Sequence, residues 1–306
     1  MDATQAVILT IITASTPLLL AAIGELVTER SGVLNLGVEG MMVMGAVCGF
    51  AAAYTTGNPY IGILAGVLGG VALSFFFAIL TQTLATNQVA TGLALTLLGL
   101  GLSGLIGESF VGLPGVKLQQ LSIPFLSTIP FIGPILFGQD ILVYTSIALI
   151  FGTTYVLFKT RIGLIIRSVG DNHNSAHALG YNVIAVRYAC IMFGGACSGL
   201  SGAYLSLAYT PQWIENMTAG RGWVALALVV FSTWLPKRLA IGAYLFGAVW
   251  IMGLYVQALG FGIPSQFLSS LPYVVTIIAL VIISGNKTLT RVNTPACIGQ
   301  TFVPDR

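Results

Sequence analysis

The sequence predicts an all-α, polytopic integral membrane protein with about nine to ten transmembrane helices. Composition carries the first part of that prediction. Only 7% of the residues are charged, against about a quarter in a soluble chain of this size, and the mean hydropathy is +0.94. Grouping carries the second. Windows of about 20 residues, the length that crosses a ~30 Å hydrocarbon core as a helix, isolate nine candidate spans near 6–24, 36–54, 60–80, 89–107, 140–158, 186–208, 221–235, 239–258 and 268–284. Short or broken helices can conceal a tenth. The whole of 1–306 reads as a single transmembrane domain.

The basic residues orient these spans. With the N-terminus outside, Arg30, Lys159, Arg161, Arg167, Arg187, Lys237, Arg238, Lys287, Arg291 and Arg306 all fall on the inner face, and only Lys117 and Arg221 fall outside. Cytoplasmic loops carry the excess of Lys and Arg, so the C-terminus, with the tail 285–306, is expected in the cytoplasm. The first span is preceded by Asp2 and followed by Arg30. It therefore lacks the basic leading region of a cleavable signal.

In chain order, the first polar break is Glu29-Arg-Ser-Gly-Val-Leu-Asn-Leu-Gly-Val-Glu-Gly-Met41. Gly32 permits a sharp entry, and Asn35 is a natural N-cap for the helix that follows. Glu39 falls in the first turns of that helix, where the dipole favours an anion. The economical reading is a capped helix start, with the acid paired to a loop arginine. The rival reading is a substrate contact, because an ionisable residue at membrane depth is a functional candidate. Gly66/Gly70 and Gly195/Gly199 are small-xxx-small pairs suited to close helix approach. The fourth span opens on Gln88-Val-Ala-Thr-Gly-Leu-Ala-Leu-Thr96. A single Thr there more often satisfies its own backbone, yet Asn35, Gln88, Thr91 and Thr96 together form the best candidate lining for a solute pathway, with Gln257 and Thr276 on weaker grounds. Such neutral hydroxyls and amides suit a neutral, hydrogen-bonding solute.

The segment 108–139 contains Pro114, Pro124, Pro130 and Pro134 among Ile, Phe and Leu. It is too apolar for a free loop and too broken for a span, so it is expected to lie at the outer interface or dip back into the bilayer. The long hydrophilic stretch 159–187 comes next. Within it a short helix is predicted, N-capped by Asp171 or Asn172 and closed by Gly180 as the residue past its C-cap. Trp213, Trp223 and Trp234 fall near predicted span ends, as an aromatic belt places them. Cys48, Cys190, Cys197 and Cys297 form no disulfide framework; Cys190 and Cys197 are roughly 10 Å apart along one helix, beyond bridging distance.

Two of these stretches carry a family resemblance. Gly170-Asp171-Asn172, Ala176 and Leu179-Gly180-Tyr-Asn-Val183 resemble the Gly-x-Asn-x-x-x-Ala-x-x-x-Gly-x-x-Val signature of permease subunits of bacterial ABC importers. The match is to the branch for ribose, other simple sugars and nucleosides. The run "ERSGVLNLGVEGMMVMGA" is similar to the nucleoside-type members, since ribose-type members usually have Asp and Ser where this chain has Asn35 and Gly37. The resemblance implies a type II-like importer permease in a bacterial cytoplasmic (inner) membrane. It implies that Gly170, Asp171, Asn172, Ala176, Leu179 and Gly180 belong to a coupling helix docking on a separate ABC ATPase subunit. That subunit binds the ATP, so no cofactor is expected here. Further partners so implied are a second permease subunit, in a heterodimer, an extracytoplasmic substrate-binding protein, and membrane lipid.

Other classes fit the residues less well. No Walker A sequence, nucleophile elbow or zinc motif is present, so no catalytic residue is expected. His173 and His177 stand four apart without Cys or carboxylate company, so contact with the ATPase surface is preferred over metal binding. A proton-coupled carrier usually places ionisable groups near the midplane, and these spans are almost devoid of them. No basic patch outside the loops suggests nucleic acid. Simple-sugar, riboflavin and branched-chain amino-acid permeases remain the alternatives within the importer class.

Overall fold

The computed structural model describes residues 3–121, 132–258, 264–284 and 293–304. The described residues form helices, turns and one isolated bridge between Gln120 and Asp140. In order the helices are α1 (Ala3–Arg30), α2 (Val38–Thr56), α3 (Pro59–Ala78), α4 (Gln88–Gly107), α5 (Ile132–Phe137), α6 (Ile141–Lys159), α7 (Arg161–Asp171), α8 (His173–Ala178), α9 (Val183–Tyr204), α10 (Arg221–Phe231), α11 (Pro236–Ala258) and α12 (Ser265–Ser284). Single π-turns extend α3 to Thr83 and α9 to Tyr209. Among the described residues, seven of these helices are long and apolar enough to cross a membrane, and α12 is helical over the last predicted span.

Local chemistry sets the helix starts. Asn58 accepts from Tyr60 N (2.9 Å), Asn87 from Ala90 N (3.0 Å), Asp140 from Leu142 N and Val143 N (2.9 and 3.0 Å), and Asn182 from Ala185 N (3.0 Å). Each satisfies backbone N–H groups that the first turn leaves unpaired. Pro59 follows its cap at the first helical position, where the missing N–H costs nothing.

Helices α2, α3 and α9 pack backbone to backbone. A Cβ on Gly70 would meet Gly195 O and lie 2.7 Å from Gly199 Cα; one on Gly45 would lie 2.8 Å from Gly199 C; one on Gly62 would lie 2.6 Å from Gly49 O. The two small-residue pairs expected from the sequence thus face each other across α3 and α9. Van der Waals contact of this closeness substitutes for the hydrophobic drive that lipid does not provide. Helix α1 runs through the middle, buried from Leu18 to Val27, and packs on α6, α9, α10 and α11.

The bundle has two unlike ends. At the basic end lie Arg30, Arg187, Arg238, α7 and α8. At the opposite end, the chain after α4 lies flat on the bundle, with Gly115 N donating to Pro211 O (3.2 Å) and Leu118 N to Leu207 O (2.9 Å). Leu118 is buried, and Phe110 packs on Phe50 and Tyr54. The described part of 108–139 is therefore seated against the protein; Pro124 and Pro130 lie outside the described residues.

Four expectations need correction. The predicted span 221–235 is the eleven-residue helix α10, about 16 Å long, which reaches only half-way across a ~30 Å core. Arg221 consequently starts α10 inside the bundle, stacked between the rings of Tyr209 and Trp250 (5.4 and 5.9 Å), and is not on an outer loop. The stretch 159–187 holds two helices where one was expected. Finally, Trp213 and Trp234 are packed inside the protein (1% and 5% exposed), and only Trp223 is substantially exposed.

Candidate functional site

Two places gather the residues singled out by the sequence. The first is the α7–α8 element at the basic end. Thr160 Oγ1 accepts from Gly163 N (3.2 Å) to start α7, whose Ile166 and Val169 face the bundle. Asn172 caps α8 by accepting from Ser175 N (2.9 Å). Gly180, at φ +86°, closes it with Gly180 N donating to His177 O (2.8 Å) and Tyr181 N to Ala176 O (3.2 Å). That is a Schellman C-terminus, which requires a left-handed residue at this position. Of the two caps proposed, Asn172 is the one used; Asp171 ends α7.

The six coupling candidates divide by direction. Gly170 and Ala176 are buried, while Asp171, Asn172, Leu179 and Gly180 are exposed, Leu179 by 76%. A Cβ on Gly170 would strike Arg30 O, so the glycine lets α7 cross the turn between α1 and α2. Behind α8 sits Arg187, fully buried on the first turns of α9. Its guanidinium donates to Ser31 O (3.2 Å) and Gln300 O (3.0 Å), and reaches Gln82 Oε1 (3.5 Å) and His173 Nδ1 (3.3 Å). Burial, and then the positive charge of Arg187, hold the His173 pKa below its ordinary value. A neutral ring whose Nδ1 accepts from Arg187 fits that shift.

The second place is the turn 31–37 and the start of α2. Asn35 Oδ1 accepts from Gly37 N (2.9 Å), so Asn35 closes the turn two residues before the N-cap of α2, which is Gly37 and not Asn35. Its N–H donates to Glu25 Oε1 (3.1 Å). Gln88 Oε1 accepts from Leu34 N (2.8 Å), and Thr96 Oγ1 donates to Leu36 O (2.9 Å). Thr91 bonds Thr86 through its hydroxyl (2.9 Å). Asn35, Gln88 and Thr96 are thus brought together, each buried and engaged with backbone. Gln257 is separate, exposed near the far end of α11. The side chain of Thr276 lies outside the described residues.

Glu39, 3% exposed, anchors the break in the bundle. After α9 the chain descends in non-helical form from Pro211 and Trp213 at the far end to Gly220, where α10 begins. Glu39 Oε1 accepts from Thr218 Oγ1 (2.5 Å) and Gly220 N (2.8 Å), and Oε2 accepts from Gly222 N (2.6 Å). These donors hold the carboxylate where a loop arginine was expected; Arg221, beside them in the chain, turns away to Met217 O (3.0 Å) and the two aromatic rings. From Glu39, α10 runs to Phe231, and the turn after it carries Trp234, whose carbonyl accepts from Arg30 (2.9 Å) and whose indole N–H donates to Glu29. The carboxylate therefore sits roughly 16 Å above the basic end, a rise equal to about half of a ~30 Å hydrocarbon core, bound to the N-terminal amides of a half-helix. Sequence reasoning did not find Thr218, Gly220, Arg187 or Gln300. Gly220 beside an apolar run was the available signal for the helix break.

An all-α bundle with glycine-packed spans, a mid-membrane helix break and an exposed capped helix at the basic end is the architecture of a multi-pass membrane permease. The family described as branched-chain amino acid transport system / permease component matches residues 7–292, and the chain belongs to it. It is an ABC transporter permease, a multi-pass inner-membrane subunit and not an enzyme. Membership implies partnership with an ABC ATPase and a substrate-binding protein. It is 37% identical to a Haloferax volcanii protein provisionally named a glucose ABC transporter permease, over 94% of each chain. It is 33% identical to a nucleoside ABC transporter permease of Lactococcus lactis, covering 92% of this chain and 93% of that one. A guanosine ABC transporter permease of Bacillus subtilis matches at 32%, over 90% and 91%. Its fold is similar to that of a solved ABC transporter provisionally described as metal-chelate type, in an inward-facing conformation, with TM-score 0.53, 17% identity, and coverage of 90% and 84%.

Proposed function

We propose that this chain forms the membrane pathway of an importer for nucleosides. The observation that carries the solute is the pair of relatives named for nucleoside and guanosine transport, matched over nine-tenths of the chain. The residues agree with a neutral solute, because Glu39 is already engaged with Thr218, Gly220 and Gly222. A charged solute in low dielectric needs a free counter-group. One observation favours a sugar instead: the 37% identity to the Haloferax protein named for glucose.

In this reading the basic end faces the cytoplasm, as the positive-inside rule requires, and the N-terminus lies outside. The exposed face of α8, with Asp171, Asn172, Leu179 and Gly180, docks on the ATPase, which binds the ATP, and Gly170 and Ala176 seat the element on the bundle. A second, different permease subunit completes the pathway, and the binding protein delivers solute to the opposite end. Asn35, Glu39, Gln88 and Thr96 act as the braced wall of the pathway, while Thr91 and Gln257 are more accessible. The test is uptake of labelled nucleosides by cells lacking this subunit. Loss of nucleoside uptake, restored by the gene, supports the reading; normal nucleoside uptake with lost hexose uptake transfers it to the sugar alternative.

A further inference from the structure

The tail past residue 292 does not hang free. Cys297 N donates to Gly170 O (2.9 Å), and Gly299 N donates to Gly32 O (3.1 Å). The carbonyl of Gln300 accepts from Arg187 Nη1 (3.0 Å) and from Gln88 Nε2 (3.3 Å). Phe302, 7% exposed, lies against the rings of His173 and His177 on α8 (5.2 and 5.3 Å), over Val169, Ala176 and Val183. One short segment thus touches α7, α8, the turn 31–37, the start of α4 and the Arg187 guanidinium. Helix α8 itself meets the bundle along little more than the start of α9. The rest of its support comes from α7 and from the tail.

These contacts join to others already described. Gln88 holds the turn 31–37, that turn leads into the first residues of α2, and Glu39 on α2 holds the loop 218–222 at mid-membrane. We infer that residues 297–302, with Arg187 behind them, form a strap that carries displacement of the α7–α8 element to the turn 31–37 and so to the mid-membrane break. Arg187 is a positioning residue here: its planar fork addresses four groups on separate segments, a geometry lysine cannot reproduce. The inference rests on α7–α8 being the ATPase-coupling element. A shared strap gives both ends one rigid element to bias, which is the physical requirement for energetic coupling between sites.

The test uses the full complex with its ATPase and binding protein, in nanodiscs for hydrolysis and in vesicles for uptake. Three variants are compared: a chain ending at Ala296, Phe302→Ala, and Arg187→Lys. The expected result is that the ATPase still co-purifies and hydrolyses ATP at its basal rate, while stimulation by nucleoside-loaded binding protein and uptake each fall at least about tenfold. Labelling of Cys297, with Cys48, Cys190 and Cys197 replaced by Ala, should rise in Phe302→Ala, because the strap is released; a merely packed tail that transmits nothing would leave stimulation unchanged. Wild-type stimulation and uptake in Phe302→Ala and Arg187→Lys overturn the inference. So does loss of the ATPase from these variants, which makes the tail a docking element. If the shortened chain fails to insert, the two point variants decide. A wild-type complex that nucleosides fail to stimulate but hexoses do moves the solute assignment alone, and the same variants are then read with hexose. Normal stimulation and uptake in Gly180→Val, by contrast, removes the coupling element on which the inference rests.

Discussion

Replacing Glu39 by Gln tests the mid-membrane anchor at a single atom. The wild-type carboxylate accepts three hydrogen bonds, one from Thr218 Oγ1, one from Gly220 N and one from Gly222 N. Hydrogen bonds to a charged partner contribute about 1.5–3 kcal/mol each. The amide keeps the shape but turns one acceptor into a donor. Whichever way it points, at least one backbone N–H then faces an N–H beside a side chain only 3% exposed. Orphaning that group costs about 1–3 kcal/mol, and the loss of charge weakens the remaining bonds, for a total of about 2–4 kcal/mol. At about 2–4 °C per kcal/mol, the melting temperature of the nanodisc complex, followed by intrinsic tryptophan fluorescence, should fall by roughly 5–15 °C. Trp213 and Trp223 flank the anchored loop and report its release directly. Glu39→Asp should be at least as damaging, since the shorter side chain keeps its charge but cannot span from Thr218 to Gly222. Thr218→Val, which removes one donor, should cost about 1 kcal/mol. A Gln variant that melts within about 1 °C of wild type and transports at the wild-type rate would refute the anchor.

Three further outcomes are expected. Gly180→Val places a β-branched residue at φ +86° with no neighbour near the new Cβ. Its cost, about 1–3 kcal/mol of backbone strain, falls on the C-cap of α8 alone; uptake and stimulated hydrolysis should drop while insertion, checked by membrane fractionation, is normal. The His173 pKa is depressed, so protons bind more readily when α8 is unseated. The seat of α8 is therefore fully stable above the free value of about 6.5 and weakens as pH falls through the folded value. Stimulated hydrolysis should decline below pH ~6.5, and the decline should be absent in His173→Gln. Finally, Asn174→Cys, on a background without native cysteines, should resist an impermeant thiol reagent in intact cells and react in inside-out vesicles; labelling from outside intact cells would reverse the orientation.

The regular parts of this bundle were legible because their signals are local. Asn172 and Gly180 bracket α8 within nine residues, and Gly66/Gly70 with Gly195/Gly199 marked the surfaces on which α3 and α9 meet. Helix α7 was also readable in retrospect, from Thr160 and the spacing of Ile162, Ile165, Ile166 and Val169. The half-helix α10 was not. Its run Trp223–Phe231 is as apolar as a true span, and what stops it is Glu39, about 180 positions earlier, capturing the amides around Gly220. Arg187 looked like a loop cation because its partners come from Ser31, Gln82, His173 and Gln300, four separate parts of the chain. Asn35, Gln88 and Thr96 were grouped in the sequence as pathway candidates; what the sequence did not show is that each also braces the turn 31–37, as buried polar groups must find partners.

The central claim is that this permease carries nucleosides. It is tested most directly by reconstituting it with its partner permease, ATPase and binding protein in ATP-loaded vesicles and presenting labelled nucleoside and labelled glucose side by side. The account predicts accumulation of the nucleoside, inhibition by unlabelled nucleosides and not by glucose, and nucleoside-stimulated ATP hydrolysis. Accumulation of glucose with no response to nucleosides would contradict it.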